Sequence, residues 1–574
     1  MSAVLTDNLP LLAGAPNGIK KLRELILELA VRGKLVPQDP KDEPASELLK
    51  RIAEEKARLV AEGKIKKQKP LTKSAEGEKL FGLPEGWSWT SLNEIAAMRG
   101  GSTPSMSKSE FWNGDIPWVS PKDMHDGDIT DSELKVTQLA LNKTNLELVP
   151  IGSILLVGRS GILKRKLPAQ ITAVPCTINQ DLKAISPFQP QPSNYVQLML
   201  RGTERFILKE DVKQGTTVQS LVYNKLFVRP FGLPPLAEQQ RIVAKVDELM
   251  TLCDRLEARH ADADSAHTQL VQALLSGLTQ TRDAEDFAQS WQRLAEHFHT
   301  LFTTESSIDA LKQTLLQLAV MGKLVPQDPN DEPASLLMTR LRQDRSEWLI
   351  DKQLDDPECK TMLRKLSSLT EALPPFPLPE SWVTVHLIDC SRLLVDCHNK
   401  TAPYVPAGIP IIRTSNIRNR EFRLDDLKYV NEETYEFWSR RCTPEPRDIM
   451  FTREAPMGEA AIIPDGERFC LGQRTMLVRP MHDFIDNRYL LIALTEPHLL
   501  ERASTSAIGS TVKHLRVGDV ELLNIPLPPL AEQHRIVAKV DQLMALCDQL
   551  KARLNQARQV HEHLASALVE QAVA

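Results

Sequence analysis

The sequence predicts a mixed α/β (α+β) chain with two domains of the same fold, separated by long, antiparallel, heptad-patterned helices. Three observations support this prediction: two segments of the chain occur twice, the blocks between them diverge, and one repeated segment continues as a heptad pattern. At 574 residues the chain is also too long for one compact core. We therefore expect an internal pseudo-twofold repeat made of several structural units.

The repeat is visible by direct comparison of the two halves. Residues 22–46 return at 311–335. Residues 233–259 return at 527–553, where the two copies differ at only five of 27 positions. Chance does not produce such agreement, so the chain contains a duplication.

The blocks between the repeated segments, residues 88–232 and 383–526, share only short islands of similarity. Each block follows a short repeated motif, Leu-Pro-Glu-X-Trp, which ends at Trp87 or at Trp382. A common frame with different loops is typical of two modules of one fold that bind two different targets. The alternative is divergence without a new role for either block. We favour two specificities, because the flanking segments stay nearly identical while the blocks do not.

The second repeated segment predicts a long helix in each half, beginning just after Pro-Pro. Roughly 40 residues of helix would be about 60 Å long. Apolar residues alternate in steps of four and three, which indicates a narrow stripe that pairs with another helix, and we expect the counterpart from the other half as its partner. The stripe residues that we assign to helix packing are Ile242, Val246, Leu249 and Leu256 in the first copy and Ile536, Val540, Leu543 and Leu550 in the second.

The repeat predicts five regions along the chain. They are 1–81, an N-terminal helical region with a basic linker at 64–69; 82–232, the first variable domain; 233–376, a central helical region with a long helix at 236–276 and further helices at 306–370; 377–526, the second variable domain; and 527–574, the C-terminal long helix. In the first repeated segment a helix is expected to end at Gly33 and at Gly322, where glycine permits a left-handed stop.

Composition is that of an ordinary globular protein, with 42% apolar and 25% charged residues. No apolar run approaches the roughly 20 residues that a membrane-spanning helix needs, and the N-terminus lacks a secretory pattern. The eight cysteines form no CxxC pair, which argues against a zinc site and for reduced thiols. We expect a cytoplasmic protein with no membrane association.

The repeated motifs resemble those of one known family. The sequence LPPLAEQ followed by RIVAKVD, at 233–247 and 527–541, is similar to the helical spacers of the specificity subunits of Type I restriction–modification systems. The segment that starts KKLRELILELAVRGKLVPQDP, at 20–40, is similar to the N-terminal region of the Type IB branch. The resemblance covers the whole chain in order. It implies two target-recognition domains of mixed α/β fold that bind a bipartite double-stranded DNA site, which is asymmetric here because the two blocks differ.

The resemblance also implies partners. Two adenine methyltransferase (modification) subunits dock on the helices, and separate ATP-driven restriction (translocase) subunits move along the DNA and cut it. This chain would then be a non-catalytic specificity subunit. It would bind no cofactor itself, and S-adenosylmethionine, ATP and magnesium are expected on the partner subunits.

The motifs of a catalyst are not recognisable in the sequence. An adenine methyltransferase carries Asn/Asp-Pro-Pro-aromatic, whereas the nearest match here begins with Leu373, and no GxxxxGK[ST] phosphate loop is present. Pro464-Asp465 followed by Glu467 is better explained as a turn than as part of a nuclease site. Two alternatives stay open: a fused or fragmentary restriction–modification enzyme with an unrecognised catalytic site, and a coiled-coil scaffold whose blocks bind protein.

Polar and basic side chains on glycine-containing loops are the candidate DNA contacts, because these side chains bind base edges and phosphates. In the first block they are Ser102, Thr103, Arg159, Ser160, Lys164, Arg165, Lys166, Gln180, Gln214, Thr216 and Thr217. In the second block they are Arg413, Ser415, Asn416, Arg453, Gln473, Arg474, Ser510, Thr511, Lys513 and His514. For each single residue, a role in a turn or in solvent is an equally good interpretation. No metal site is expected: even His267 and His561, which align between the copies, fit packing positions better.

The charge of the chain sets a limit on how it would bind DNA. Its net charge is −5, with 16 basic and 14 acidic residues in 82–232 and 18 basic and 21 acidic residues in 378–526. Phosphate contacts usually dominate affinity for DNA. We therefore expect this chain to supply base recognition, while partner subunits supply much of the affinity.

Overall fold

The computed structural model describes residues 9–65, 81–125, 127–189, 193–215, 218–398, 400–504 and 514–573. The chain divides into two compact units. Unit 1 is Met1–Asp262 with Arg558–Ala574, and unit 2 is Ala263–Ala557.

The elements of the first half alternate between short strands and helices up to one long helix. The helices are α1 (Leu9–Gly14), α2 (Gly18–Val31), α3 (Ala45–Ala61), α4 (Leu92–Ile95), α5 (Gln138–Lys143), α6 (Ser193–Gly202), α7 (Glu204–Glu210), α8 (Tyr223–Val228) and α9 (Leu236–Thr279). The strands are β1 (Ser88–Thr90), β2 (Ala96–Gly100), β3 (Trp112–Val119), β4 (Leu134–Val136), β5 (Ile154–Val157), β6 (Arg159–Ser160), β7 (Ala169–Ile171), β8 (Thr177–Ile178), β9 (Leu182–Pro187), β10 (Val212–Lys213), β11 (Gln219–Leu221) and β12 (Phe231–Leu233).

The second half begins with five helices, after which short strands and helices lead to a second long helix. The helices are α10 (Ala284–Ala295), α11 (Phe298–Leu301), α12 (Glu305–Val320), α13 (Ala334–Lys352), α14 (Pro357–Ser367), α15 (Leu387–Cys390), α16 (Glu432–Ser439), α17 (Asn487–Thr495), α18 (Pro497–Ser504), α19 (Val517–Glu521) and α20 (Leu530–Val573). The strands are β13 (Val383–His386), β14 (Ser391–Asp396), β15 (Ile409–Ile412), β16 (Ile417–Arg418), β17 (Glu421–Phe422), β18 (Lys428–Val430), β19 (Ile449–Thr452), β20 (Ala460–Ile462), β21 (Cys470–Leu471), β22 (Thr475–Pro480) and β23 (Asn524–Leu527).

The variable block of unit 1 is built on an antiparallel four-stranded sheet in the order β2-β9-β5-β7, accompanied by a three-stranded sheet in the order β4-β3-β8. Strand β5 is apolar and fully buried along its length, which is typical of a strand covered on both faces. The first and last strands of the block, β1 and β12, pair with each other, with Ser88 opposite Leu233. The block therefore begins and ends in one two-stranded ribbon.

The block of unit 2 repeats this topology in three of its sheets, and it also contains a further ribbon of β16 and β17. Its four-stranded sheet has the order β14-β22-β19-β20, its three-stranded sheet the order β18-β15-β21, and its ribbon pairs β13 with β23. Strands β3 and β15, which contain one of the shared sequence islands, each pair in parallel with a short strand, β8 or β21. The mixed α/β fold class and the two repeated units are confirmed.

The two long helices are also confirmed, and each has 44 residues. Helix α9 begins in unit 1 and ends in unit 2, and α20 begins in unit 2 and ends in unit 1. The predicted stops of the shorter helices are present as well. Both Gly33 and Gly322 have a φ of 69°, just after α2 and α12 end.

The apolar stripe of the long helices is buried at its start, with an additional partner. Ile242, Val246 and Leu249 belong to one buried cluster with side chains of α2, such as Leu25, and with Ala565 of α20. In unit 2 the corresponding cluster contains Ile536, Val540 and Leu543 with side chains of α12 and of the last turns of α9. Helix α2 also makes ion pairs to both long helices, from Arg23 to Asp254 at 2.6 Å and from Lys21 to Glu562 at 3.5 Å. The first repeated segment thus shares a stripe that we expected the counterpart helix to cover.

Further along, the stripe is less buried than expected. Leu256 and Leu550 are half-buried, and Leu270 and Leu564 are 51% and 49% exposed. His267 is half-buried and its Nε2 lies 2.9 Å from the carbonyl oxygen of Leu301. Within the described ranges, no helix combines the length and the apolar character that crossing a membrane requires.

Candidate nucleic-acid interface

Three predicted loops of the first block meet at one end of its four-stranded sheet. Strand β5 ends there and the antiparallel β9 begins there, so the loops that follow β5 and precede β9 are neighbours. The backbone N–H of Arg159 donates to the carbonyl of Asp181 at 3.2 Å. The hydroxyl of Thr103 donates to the side-chain oxygen of Gln180. Thr103, Arg159 and Gln180 are exposed and Ser102 is half-buried. These four predicted residues therefore lie together at this end of the sheet, which we call the first edge; the corresponding end of the second block is the second edge.

A short sheet, β10-β11-β6, extends this edge. Ser160 pairs with Gln219, and Arg159 pairs with Ser220. Gln214, in the turn between β10 and β11, is exposed. The predicted residues Thr216 and Thr217 lie outside the described residues.

A basic cluster lies beside the loop that follows β5. Lys164, Arg165 and Lys166 are all exposed, at the end of a single 3₁₀ turn. Lys166, however, lines a cavity of about 690 Å³ together with Arg201 and Glu204. All three basic side chains are accessible to a phosphate group.

The second block brings its matching loops together at the same end of its sheet. The hydroxyl of Thr401 donates to the side-chain oxygen of Gln473 at 3.3 Å. Nε of Arg474 lies 3.1 Å from a carboxylate oxygen of Glu454. Gln473 and Arg474 are half-buried, and Arg474 has a φ of 66°. Ser415 is exposed.

Two predicted contacts in this block need correction, because their side chains are buried. Arg453 is 4% exposed; it forms an ion pair with Asp396 at 2.7 Å and donates to the carbonyl of Leu515 at 3.1 Å. Asn416 is 3% exposed and its Nδ2 donates to the carbonyl of Arg423 at 3.2 Å. Both residues stabilise the loops from inside, and neither presents a free polar group to DNA.

The remaining predicted residues of the second block have mixed positions. Arg413 is half-buried and its Nη2 lies 3.1 Å from Asp426. His514 is half-buried. Ser510, Thr511 and Lys513 lie outside the described residues.

The two blocks can be aligned position by position through their backbone hydrogen bonds. The N–H of Gly158 donates to the carbonyl of Asp181 at 2.8 Å, and the N–H of Arg453 donates to the carbonyl of Arg474 at 3.0 Å. Gly158 and Arg453 each come directly after the strand that lies in the middle of the sheet, β5 or β19. Gly158 therefore corresponds to Arg453, and Asp181 corresponds to Arg474.

This alignment shows that charge is reversed at two neighbouring positions of the edge. Arg159 of the first block corresponds to Glu454 of the second, and Asp181 corresponds to Arg474. A guanidinium donates hydrogen bonds and a carboxylate accepts them, so the two edges present different hydrogen-bonding groups at these positions. The sequence predicted both edges, but it did not reveal this reversal.

Sequence reasoning missed an aromatic and basic cluster near the second edge. The guanidinium of Arg440 lies 4.0 Å from the ring centre of Phe437, which is 50% exposed. The rings of His398 and Trp438 are 4.7 Å apart. Burial lowers the pKa of His398, and Arg440 and Lys400 lower it further, so the ring is neutral near pH 7. The signal available in the sequence was the run Phe-Trp-Ser-Arg-Arg at 437–441.

A second missed group lies behind the first edge. Nζ of Lys183 lies 5.2 Å from the ring centre of Tyr223. Burial, together with the charge of Asp181, raises the pKa of Tyr223 to about 12, so its hydroxyl remains protonated. No spacing in the sequence connects these two residues. Among the residues that the structure describes, no three His, Cys, Asp or Glu side chains are grouped as metal ligands would be.

Comparison with known proteins gives a consistent result. A sequence profile described as the Type I restriction modification DNA specificity domain matches residues 84–262 and 382–558. The chain is 37% identical over 567 residues to the Type I restriction enzyme EcoAI specificity subunit of Escherichia coli, covering 97% of this chain and 94% of that protein. It is 35% identical over 583 residues to the EcoEI specificity subunit of the same organism, with the same coverage.

Among solved structures, the HsdS subunit from Thermoanaerobacter tengcongensis aligns with a TM-score of 0.39 and 18% identity, covering 86% of this chain and 98% of that one. The profile matches once in each repeat and over more than half of the chain. The full-length similarity to the E. coli proteins extends through the repeated segments outside those matches. The chain therefore belongs to the family of specificity subunits of Type I restriction–modification enzymes.

Proposed function

We propose that this chain recognises an asymmetric, bipartite site in double-stranded DNA, with one variable block bound to each half-site. The observation that carries the proposal is the reversal of charge at matching positions of the two edges. Arg159 and Asp181 in the first block stand where Glu454 and Arg474 stand in the second. Edges with exchanged donors and acceptors favour different base pairs in the major groove. The two half-sites should therefore differ.

The same proposal includes the partners that the family resemblance implies. Two methyltransferase subunits would dock on the repeated helical segments, and restriction subunits would join that complex. The duplication supports two equivalent docking places, because Leu270 and Leu564 occupy matching positions of the long helices and are 51% and 49% exposed.

We further propose that the chain itself is not a catalyst and acts in the cytoplasm. S-adenosylmethionine, ATP and magnesium would then be bound by the partner subunits. The weakly charged blocks support a division of labour in which partners contribute phosphate contacts, while the edges described above contribute base contacts.

The test uses the full-length chain, alone and assembled with its methyltransferase partner. Each preparation is incubated with S-adenosylmethionine and genomic DNA, and methylated adenines are mapped by sequencing. We expect no methylation by the chain alone, and methylation at one bipartite sequence by the complex. Methyl transfer by the isolated chain would favour a fused enzyme. If the complex methylates no specific DNA sequence, the result would favour a coiled-coil scaffold whose blocks bind protein.

A further inference from the structure

A buried glutamate stands at the start of each long helix, at Glu238 in α9 and Glu532 in α20. The two side chains belong to residues that are 1% and 0% exposed. Carboxylates are rarely buried without specific hydrogen-bond partners, because leaving water is costly for a charged group. The partners of these two residues therefore indicate what the carboxylates contribute.

In unit 1, the carboxylate of Glu238 accepts two hydrogen bonds. Nε1 of Trp87 donates to Oε2 at 3.0 Å, and Nε2 of Gln38 donates to Oε1 at 3.1 Å. The same amide of Gln38 also lies 2.7 Å from the carbonyl of Gly33, which it contacts as a donor. The carboxylate of Glu238 thus links Trp87 to the loop of residues 33–38, whose two ends are joined by the hydrogen bond from Gln38 to Gly33.

In unit 2, the arrangement is repeated in every bond. Nε1 of Trp382 donates to Oε2 of Glu532 at 3.0 Å, and Nε2 of Gln327 donates to Oε1 at 2.8 Å. Gln327 also donates to the carbonyl of Gly322 at 3.3 Å. The duplication has preserved a buried polar network, while the blocks that adjoin it have diverged.

The segments that meet at each carboxylate are the two ends of the variable block and the first repeated segment. Trp87 directly precedes β1, the first strand of its block, and Glu238 follows β12, the last strand. Gln38 lies in the loop after Gly33, whose φ is 69°. A Cβ at Gly33 would lie 2.5 Å from Cγ of Pro84, so loop and motif are in close contact. The carboxylate therefore links both ends of the block to the helical frame.

A second bond restricts rotation of each long helix against the same loop. Nη2 of Arg241, one helical turn after Glu238, lies 2.6 Å from Oδ2 of Asp42. In unit 2, Arg535 and Asp331 repeat this ion pair at the same distance of 2.6 Å. Two directional contacts one turn apart define an angle, whereas apolar packing alone permits small rotations.

We propose that Glu238 and Glu532 are positioning residues for DNA recognition, each of which sets the angle at which its own variable block is presented to its half-site. This inference rests on the proposed function. Base contacts tolerate little misplacement, so a block that rotates on its ribbon would still bind DNA but would discriminate poorly between bases. The loss should be confined to the half-site of the altered block. It should also make that block tolerant of a changed distance between the half-sites.

The experiment uses the full chain in complex with the methyltransferase, on oligonucleotides that carry the mapped site. Four further substrates are used. Two of them carry a single base change, in the first or in the second half-site, and the other two have a spacer that is longer or shorter by one base pair. The variants are Glu532→Ala and, as the matched control in the other unit, Glu238→Ala. For Glu532→Ala we expect discrimination against the second-half-site change to fall about tenfold and the altered spacers to be accepted, with first-half-site discrimination unchanged. Glu238→Ala should show the mirror-image result.

Rescue separates positioning from general destabilisation. Glu532→Gln leaves a donor facing the Gln327 amide and should lose discrimination as the alanine does. The double variant Gln327→Glu with Glu532→Gln exchanges donor and acceptor between the two side chains and retains an acceptor for Trp382. It loses the hydrogen bond from Gln327 to the carbonyl of Gly322, so it should recover part of the discrimination. If Glu532→Ala does not assemble with its partner, Glu532→Gln and the exchanged pair provide the same comparison.

The inference is overturned if single variants lower methylation equally on all substrates, change both half-sites together, or leave discrimination and spacer tolerance at the wild-type level. It is also overturned if the exchanged pair behaves like the single Glu532→Gln variant. A wild-type complex that methylates no bipartite site would instead contradict the proposed function, so the two failures are distinguishable.

Discussion

Replacing Glu532 by glutamine should remove a pH dependence of stability that this buried carboxyl imposes on unit 2. Burial raises the pKa of Glu532 from 4.5 to about 7, even though the hydrogen bonds from Gln327 and Trp382 oppose the shift. The folded state therefore binds the proton more tightly than the unfolded chain does. Its contribution to stability is fully present below pH 4.5, falls as the pH rises from about 4.5 to about 7, and changes little above that.

The size of the effect follows from the same two pKa values. At about 1.4 kcal/mol for each pH unit, the span from 4.5 to about 7 corresponds to roughly 3 kcal/mol. Glutamine does not titrate, so the free energy of unfolding of the wild type, minus that of Glu532→Gln, should fall by roughly this amount between pH 4.5 and pH 8. Chemical denaturation at several pH values, followed by tryptophan fluorescence, measures this difference.

A matched control is Glu467→Gln, which makes the same substitution at an exposed position of unit 2. Only the Glu532 variant should lose the pH-dependent component. A difference between wild type and Glu532→Gln that stays constant from pH 4.5 to pH 8, or that rises with pH, would refute the reasoning.

Three further predictions concern the edges of the two blocks. Arg453→Met should lower the free energy of unfolding by about 3 kcal/mol because it leaves Asp396 without its buried partner, and adding Asp396→Asn should recover part of the loss, both by denaturation. Gly158→Ala would place a Cβ 1.5 Å from the hydroxyl oxygen of Tyr223 and should cost about 1–3 kcal/mol by denaturation. Tyr223→Phe in the same chain removes that hydroxyl and keeps the packed ring, so it should recover part of the loss. Arg474→Ala removes a partly exposed ion pair and should change the free energy of unfolding by less than about 1 kcal/mol. In a DNA titration it should weaken binding to the second half-site by about 1–3 kcal/mol, and equal binding by wild type and variant would show that Arg474 does not contact DNA.

The sequence was sufficient to predict the two repeated units and their long helices, because the repeated segments mark where each unit begins and ends. The ends of the short helices at Gly33 and Gly322 were predicted as well, since glycine is favoured at a left-handed stop. The heptad pattern predicted the face that is buried at the start of each long helix, but not that Leu270 and Leu564 of the same stripe are 51% and 49% exposed. It could not predict that side chains of α2 and α12 pack against that face, because a pattern of apolar residues does not indicate which element covers it.

The candidate interface was predictable only in outline. Thr103 and Gln180 were both singled out, and the structure brings them into hydrogen-bond contact, since loops next to antiparallel strands meet at one end of a sheet. Arg453 was misplaced because its burial depends on Asp396, which is distant in sequence and adjacent only after folding. The charge reversal between the blocks needed the backbone hydrogen bonds, because these define which residues correspond.

Mapping the methylation site of a chain with two copies of the same block tests the central claim most directly. Residues 383–526 would replace 88–232, so that each ribbon still joins its block to the helical frame at equivalent positions. Assembled with the methyltransferase, this chain should methylate a palindromic site made from the second half-site twice, because both edges then carry the same side chains. Methylation at the original asymmetric sequence would contradict the account.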